Sequence, residues 1–213
     1  MTRLKMMSAI AATTVAALTI ALAPVAQADH HEMDSKTAKL GEKAPDFTLT
    51  DLEGQEHTLS DYTKEGKFVV LEWFNPDCPF VVKHHAKHKT MYELARMVED
   101  NGGVWLAINS GKPGKQGTGM DRNMKAVSDF GIEYPLLLDE TSKVGMMYDA
   151  KVTPHMYIID EEGTLVYAGA IDNDRSASTL GDTNYVKKAM NEHMAGRAIS
   201  ISETKPYGCS VKY

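Results

Sequence analysis

Cysteine is almost missing from this chain: its 213 residues hold two, Cys78 and Cys209. That excludes a small domain stapled by several disulfides. The pair, with 130 residues between its members, could form one bridge, stay as two free thiols, or act as a catalytic and resolving couple. Basic charge is also in short supply, with 23 Lys and Arg against 29 Asp and Glu. With no basic patch, nucleic acid and anionic membrane surfaces are poor partners. Long apolar runs are absent except near the start, and neither an internal repeat nor a domain linker can be found.

That single run, residues 10–23, follows Arg3 and Lys5 and precedes Ala26-Gln27-Ala28. A charged start, an apolar stretch and an A-x-A site predict a signal peptide over residues 1–28, cleaved after Ala28. The stretch is short for a membrane span and contains three threonines. No cysteine follows it, so a lipoprotein anchor is not expected. The expected destination is the periplasm or the cell exterior, where disulfides persist, with no membrane attachment after cleavage. Residues 29–40, including His30-His31, read as a flexible leader. Residues 41–196 are expected to form one domain and 197–213 a polar C-terminal tail with freedom to move.

Within the domain, residues 44–60 read as two short strands around a Glu53-Gly54 turn. The continuous apolar run 68–71 opens a first core strand over 68–74, and the run 104–109, apolar on both faces, suits a parallel sheet covered on both sides. Residues 79–100 carry one long helical pattern, stopped by Asn101-Gly102-Gly103. A glycine-rich loop over 111–119 leads to a helix over 121–130 with Asp121 as its cap, then a strand over 134–138 and a short helix over 141–149. Strands over 156–160 and 165–171 form a hairpin through Glu161-Glu162-Gly163. A last amphipathic helix covers 184–194. A β-hairpin, then βαβ, αβ, a second hairpin and a helix predict a three-layer α/β sandwich.

Cys78 lies where the first core strand hands over to a helix, with Pro79 suited to the first helical turn. Unpaired N–H groups and the positive end of the helix dipole favour a thiolate there. The plain alternative is a small buried hydrophobe. Glu72 and Asp77 are the acids nearest in sequence; either opposes ionisation of the thiol, or Glu72 serves as a buried proton acceptor. On the following helix His84 and His88 share a stripe with Val81, Met91, Ala95 and Val98. His85 points nearer to Cys78 but lies about 10.5 Å further along the axis, too far for a hydrogen bond. Thirteen methionines, three of them in the signal peptide, read as core filling.

Four motifs, Ala44-Pro45-Asp46-Phe47, Trp73-Phe74-Asn75-Pro76-Asp77-Cys78-Pro79, Tyr134-Pro135-Leu136-Leu137-Leu138-Asp139 and Thr153-Pro154-His155, resemble the redoxin branch of the thioredoxin-like proteins, the alkyl hydroperoxide reductase and thiol-specific antioxidant superfamily. Gly208-Cys209-Ser210-Val211-Lys212-Tyr213 resembles the tail of a peroxiredoxin-like subgroup. The resemblance covers residues 41–213. It implies a thioredoxin-like α/β/α sandwich with an N-terminal β-hairpin extension and a C-terminal tail.

On that resemblance Cys78 is the attacking cysteine, and Thr153-Pro154 is the threonine–cis-proline that faces it. Asn75, Pro79 and His155 also face the substrate, His155 as an acid–base partner. Two departures stand out. Val81 occupies the position of the second thioredoxin cysteine, so no local disulfide can close. Asn75 stands where peroxiredoxins carry threonine, and no arginine occurs between Arg122 and Arg175 to match theirs near Pro154. Arg122, from the glycine-rich region, is the substitute to consider.

The implied activity is periplasmic thiol–disulfide exchange at a single active-site cysteine, without a cofactor. Its partners are a disulfide-containing protein or a peroxide, and a thiol reductant. Cys209 is the internal candidate for resolver, and a 78–209 bridge would stabilise the fold by roughly 4–5 kcal/mol. A thiol peroxidase with an antioxidant role is the alternative. A copper chaperone using Cys78 with His84 and His88 is a more distant one, because the second nearby cysteine is missing.

Overall fold

The computed structural model describes residues 37–213 together with Met1. The chain divides into two compact units, Met1–Glu32 and Met33–Tyr213, and everything below concerns the second. The expected signal peptide and most of the leader lie outside the described residues. Among those residues no helix is long and apolar enough to cross a membrane.

A seven-stranded sheet forms the middle layer. Its strands are β1 (Thr48–Asp51), β2 (Glu56–Thr58), β3 (Val69–Trp73), β4 (Val104–Asn109), β5 (Leu136–Leu138), β7 (His155–Ile159) and β8 (Leu165–Gly169), in the order β2-β1-β5-β4-β3-β7-β8. β3, β4 and β5 run parallel, while β7, β8 and the β1–β2 hairpin run antiparallel to their neighbours. β3 is buried along its whole length, as its apolar run requires of a central strand.

Alternation along the strands sorts the core into two faces. Val70, Trp105, Met156 and Ile158 point toward α3 (Thr90–Asp100) and α6 (Tyr185–Met194), which contribute Met91, Leu94, Val98, Val186 and Met190. Leu71, Trp73, Ile108 and Ile159 point the other way, toward α1 (Leu59–Lys64) and α5 (Lys143–Met147), which contribute Leu59 and Val144. A third cluster gathers Phe74, Cys78, Val81 and Ala107 against Ala126 of α4 (Met120–Phe130). This is the expected three-layer α/β sandwich.

Three local expectations need correction. The helix expected over 79–100 is broken. It starts as α2 (Pro79–Val82), widens into a π-helical turn over Lys83–Lys87, and restarts as α3 after Lys89 at φ 54°. The widened turn lets three consecutive side chains, Lys83, His84 and His85, all be buried, which an α-helix would spread around its circumference. Asp121 is not the cap of α4. Gly119, at φ 90°, holds that position, and Asp121 sits in the first turn, where its charge suits the helix dipole.

The tail, finally, is not loose. It bonds to Ala168 through Ser202 O (3.0 Å) and Thr204 N (3.2 Å), and buries Tyr207. It ends as β9 (Cys209–Ser210), paired antiparallel with β6 (Val152–Thr153). Apolar periodicity carries no signal for such a segment, because backbone and aromatic-hydroxyl bonds hold it.

Candidate active site

Cys78 caps the N-terminus of α2, with Pro79 exposed behind it. Its N–H closes a turn on Asn75 O (3.1 Å), and its carbonyl accepts the first helical bond, from Val82 N at 3.0 Å. Asn75 is buried. Its Oδ1 accepts from Asp77 N (2.9 Å) and its Nδ2 donates to Gln116 O (3.1 Å), so it shapes the cysteine loop and ties it to the glycine-rich loop. The close approach of Gly117 is part of that tie, since a Cβ there would lie 2.0 Å from Asn75 Oδ1.

Opposite the loop, the Thr153–Pro154 peptide bond is cis. The Cys78 thiol donates to Thr153 O at 3.0 Å and is only 1% exposed. Thr153 is also the register partner of Cys209. The tail thereby seats the second thiol against the first: Cys209 packs on the Cys78 cluster and feels Cys78 as a hydrogen-bonding and charged neighbour. Burial, reinforced by Cys78, pushes the Cys209 thiol up to about 12. Cys209 therefore holds its proton at neutral pH. Both cysteines are free thiols.

Gly208 permits this seating. At φ 145°, its missing Cβ would fall 2.0 Å from Thr153 O. Gly208→Val is expected to unseat β9 and reduce the yield of a 78–209 disulfide under mild oxidation several-fold. Mass spectrometry of oxidised, alkylated protein reads the yield, and a wild-type value would refute the role given to this glycine.

The other predicted site residues go elsewhere. His155 is buried, with its ring 4.5 Å from that of Tyr157. The Tyr157 hydroxyl donates to Tyr148 O (2.8 Å), so His155 Nδ1–H donates to Tyr157 Oη at 2.9 Å. No hydrogen bond joins His155 to either cysteine. Arg122 forks onto Asp77 Oδ1 through Nε (2.8 Å) and Nη2 (2.6 Å), and so clamps the residue before Cys78 without bonding to the thiol.

His84 and His88 diverge. His84 Nε2 reaches Tyr207 Oη (3.0 Å) and His88 Nε2 reaches Ser178 O (2.9 Å). Among the described residues no three His, Cys, Asp or Glu side chains converge as a metal site.

Glu72, fully buried in β3, bonds neither cysteine. Its carboxylate accepts from His85 Nε2 (2.6 Å), Trp105 Nε1 (3.1 Å) and Tyr134 Oη (3.2 Å). Sequence reasoning missed this network, because a glutamate in an apolar strand does not name its partners. It also missed Lys83, Asp172 and Tyr207 as a buried group, although a lysine beside Val81-Val82 was a visible anomaly.

Burial drives two histidines down, His155 to about 4 and His84 to about 3, from an ordinary 6.5. Both stay neutral in the folded protein while the unfolded chain takes up protons below 6.5. Stability is expected to be fully present above that pH and to be lost progressively as pH falls through 4 toward 3. Urea midpoints measured from pH 8 to pH 4 test this. A flat profile in wild type would refute it, and His155→Asn should shallow the decline.

The fold and the paired thiols beside a cis-proline define a thioredoxin-like protein. Its backbone superimposes on the thioredoxin domain of a Bacteroides vulgatus thiol-disulfide oxidoreductase with TM-score 0.52 at 21% identity, over 62% of this chain and 89% of that one. The chain belongs to the AhpC/TSA family, whose profile matches residues 40–168. It is 34% identical to the thiol-disulfide oxidoreductase ResA of Geobacillus kaustophilus, over 60% of this chain and 68% of the relative. It also resembles the crystal structure of a hypothetical protein from Sinorhizobium meliloti, with TM-score 0.73, 26% identity, and coverage of 84% of this chain and 96% of that one.

Proposed function

We propose that this protein is a periplasmic thiol–disulfide oxidoreductase in which Cys78 attacks and Cys209 resolves. The observation that carries the reading is the β6–β9 pairing, which seats Cys209 against Cys78 beside the cis Thr153–Pro154 bond. Ionised Cys78 attacks a disulfide R–S–S–R′, releasing R′S⁻ and forming the mixed disulfide Cys78–S–S–R. Cys209 then attacks the Cys78 sulfur and RS⁻ leaves; the proton of Cys209 goes to a departing thiolate. The intrachain disulfide that results is reopened by an external dithiol, which is itself oxidised. Family membership and the ResA relatives support this chemistry. The signal-like start at residues 1–28 supports export.

A second reading, a peroxiredoxin-like thiol peroxidase, draws on the burial of Cys78. A thiol 1% exposed beneath the tail is more open to a small oxidant than to a polypeptide. Thr153, whose carbonyl accepts from that thiol, has its Oγ1 buried and unpartnered among the described residues. Here Cys78 takes one peroxide oxygen as a sulfenic acid, the other leaves as water or alcohol, and condensation with Cys209 releases water.

One experiment addresses both. Reduced protein is titrated with oxidised glutathione or hydrogen peroxide, and free thiols and disulfide-linked peptides are counted. Loss of both thiols to a 78–209 bridge supports the resolving pair. Two thiols surviving excess glutathione disulfide would overturn it. Stopped-flow reaction with peroxide no faster than that of free cysteine would exclude the peroxidase.

A further inference from the structure

The mechanism above makes no use of a fully buried lysine. Lys83, in the π-helical turn five residues after Cys78, is 0% exposed. Its Nζ donates to Asp174 O (2.9 Å), Ser176 O (3.0 Å) and Tyr207 Oη (3.3 Å), and lies 3.7 Å from Asp172 Oδ1. Tyr207 in turn donates to Asp172 Oδ1, accepts from His84 Nε2 at 3.0 Å, and sets its ring 5.1 Å from the Lys83 ammonium. Every lone pair and proton of that phenol is engaged. Tyr207 stands two residues before Cys209.

A buried ion pair is a weak source of stability, because desolvation offsets most of the attraction. What this one supplies is geometry. Lys83 stands on the segment that carries Cys78, and Tyr207, on the segment that carries Cys209, bonds to both members of the pair, so the cluster joins the two segments independently of any sulfur chemistry. We propose that Lys83, Asp172 and Tyr207 are positioning residues for Cys209, a clasp that holds the tail so the resolving thiol stays on Cys78. The inference rests on the reading of Cys78 and Cys209 as a redox pair. A clasped tail raises the effective concentration of one thiol at the other, and that concentration sets the intrachain disulfide equilibrium.

The test measures the equilibrium Cys78–SH + Cys209–SH + GSSG ⇌ Cys78–S–S–Cys209 + 2 GSH in glutathione buffers. Wild type, Tyr207→Phe, Lys83→Met and the exposed tail control Glu203→Ala are compared. Tyr207→Phe keeps the ring and removes the hydroxyl, so it serves even if Lys83→Met does not fold. The constant is expected to fall about tenfold in Tyr207→Phe, the effect of losing a hydrogen bond to a charged group. The rate at which a small reagent alkylates Cys78 should rise as the tail loosens, and Glu203→Ala should match wild type in both. A Tyr207→Phe protein that melts earlier but keeps the wild-type constant has lost structure without losing position, and the clasp is overturned. If wild type forms no intrachain disulfide, the redox-pair reading fails and takes the inference with it; an unmoved constant overturns the inference alone.

Discussion

Cys78→Ser is expected to reduce thiol-dependent turnover to background, a loss on the order of 10⁴-fold or more, as for removal of a nucleophile elsewhere. Cys209 cannot take over. Its thiol is pushed up to about 12 by burial and by its neighbour, and it sits on a strand whose place is fixed by pairing with Thr153. Cys209→Ser should behave differently. The first attack survives, and a Cys78 mixed disulfide accumulates that mass spectrometry can trap. Reduction of a small disulfide such as cystine, coupled to an external dithiol, reads both variants. Undiminished turnover in Cys78→Ser would sink the assignment of the nucleophile.

The largest stability effect is expected at Glu72. Glu72→Leu removes one carboxylate and strands three donors in the core: the His85 Nε2–H, the Trp105 indole N–H and the Tyr134 hydroxyl. Breaking such a buried charged group from one side costs about 3–5 kcal/mol, and leucine offers none of the lost acceptors. Glu72→Gln keeps one acceptor oxygen and should fall in between. Urea unfolding followed by tryptophan fluorescence suits the measurement, because Trp105 lies in the network. A Leu variant within 1 kcal/mol of wild type would show that the three donors find other partners.

Both sites show where the chain announces its structure and where it does not. The layers were legible because β3 opens on a continuous apolar run, because β4 is apolar on both faces, and because Asn101-Gly102-Gly103 and Glu161-Glu162-Gly163 end their elements as glycine dictates, with Gly102 and Gly163 at φ 80°. The junction at Cys78 was legible for the same reason, with strand, cysteine and proline falling in order. The tail was not. Nothing local in Pro206-Tyr207-Gly208-Cys209 says that Tyr207 finds Asp172 or that Gly208 clears Thr153 O. Those contacts join residues far apart in the chain, and they depend on hydrogen-bond geometry, which periodicity does not encode. The π-helical turn escaped on similar grounds: nothing local in Lys83-His84-His85 says that Asp172, Tyr207 and Glu72 receive all three side chains.

The pairing of β9 with β6 also changes what the reduced protein can meet. On the proposed function, the backbone of Val152 and Thr153 is the edge to which an extended polypeptide substrate would add as a strand, and residues Cys209 and Ser210 already lie along it. A protein disulfide must therefore evict the tail before it can register beside Cys78, whereas a small solute needs only to slip past. On the proposed function the molecule is its own first competitor, and the ease with which the tail peels away would sort its reaction partners by size.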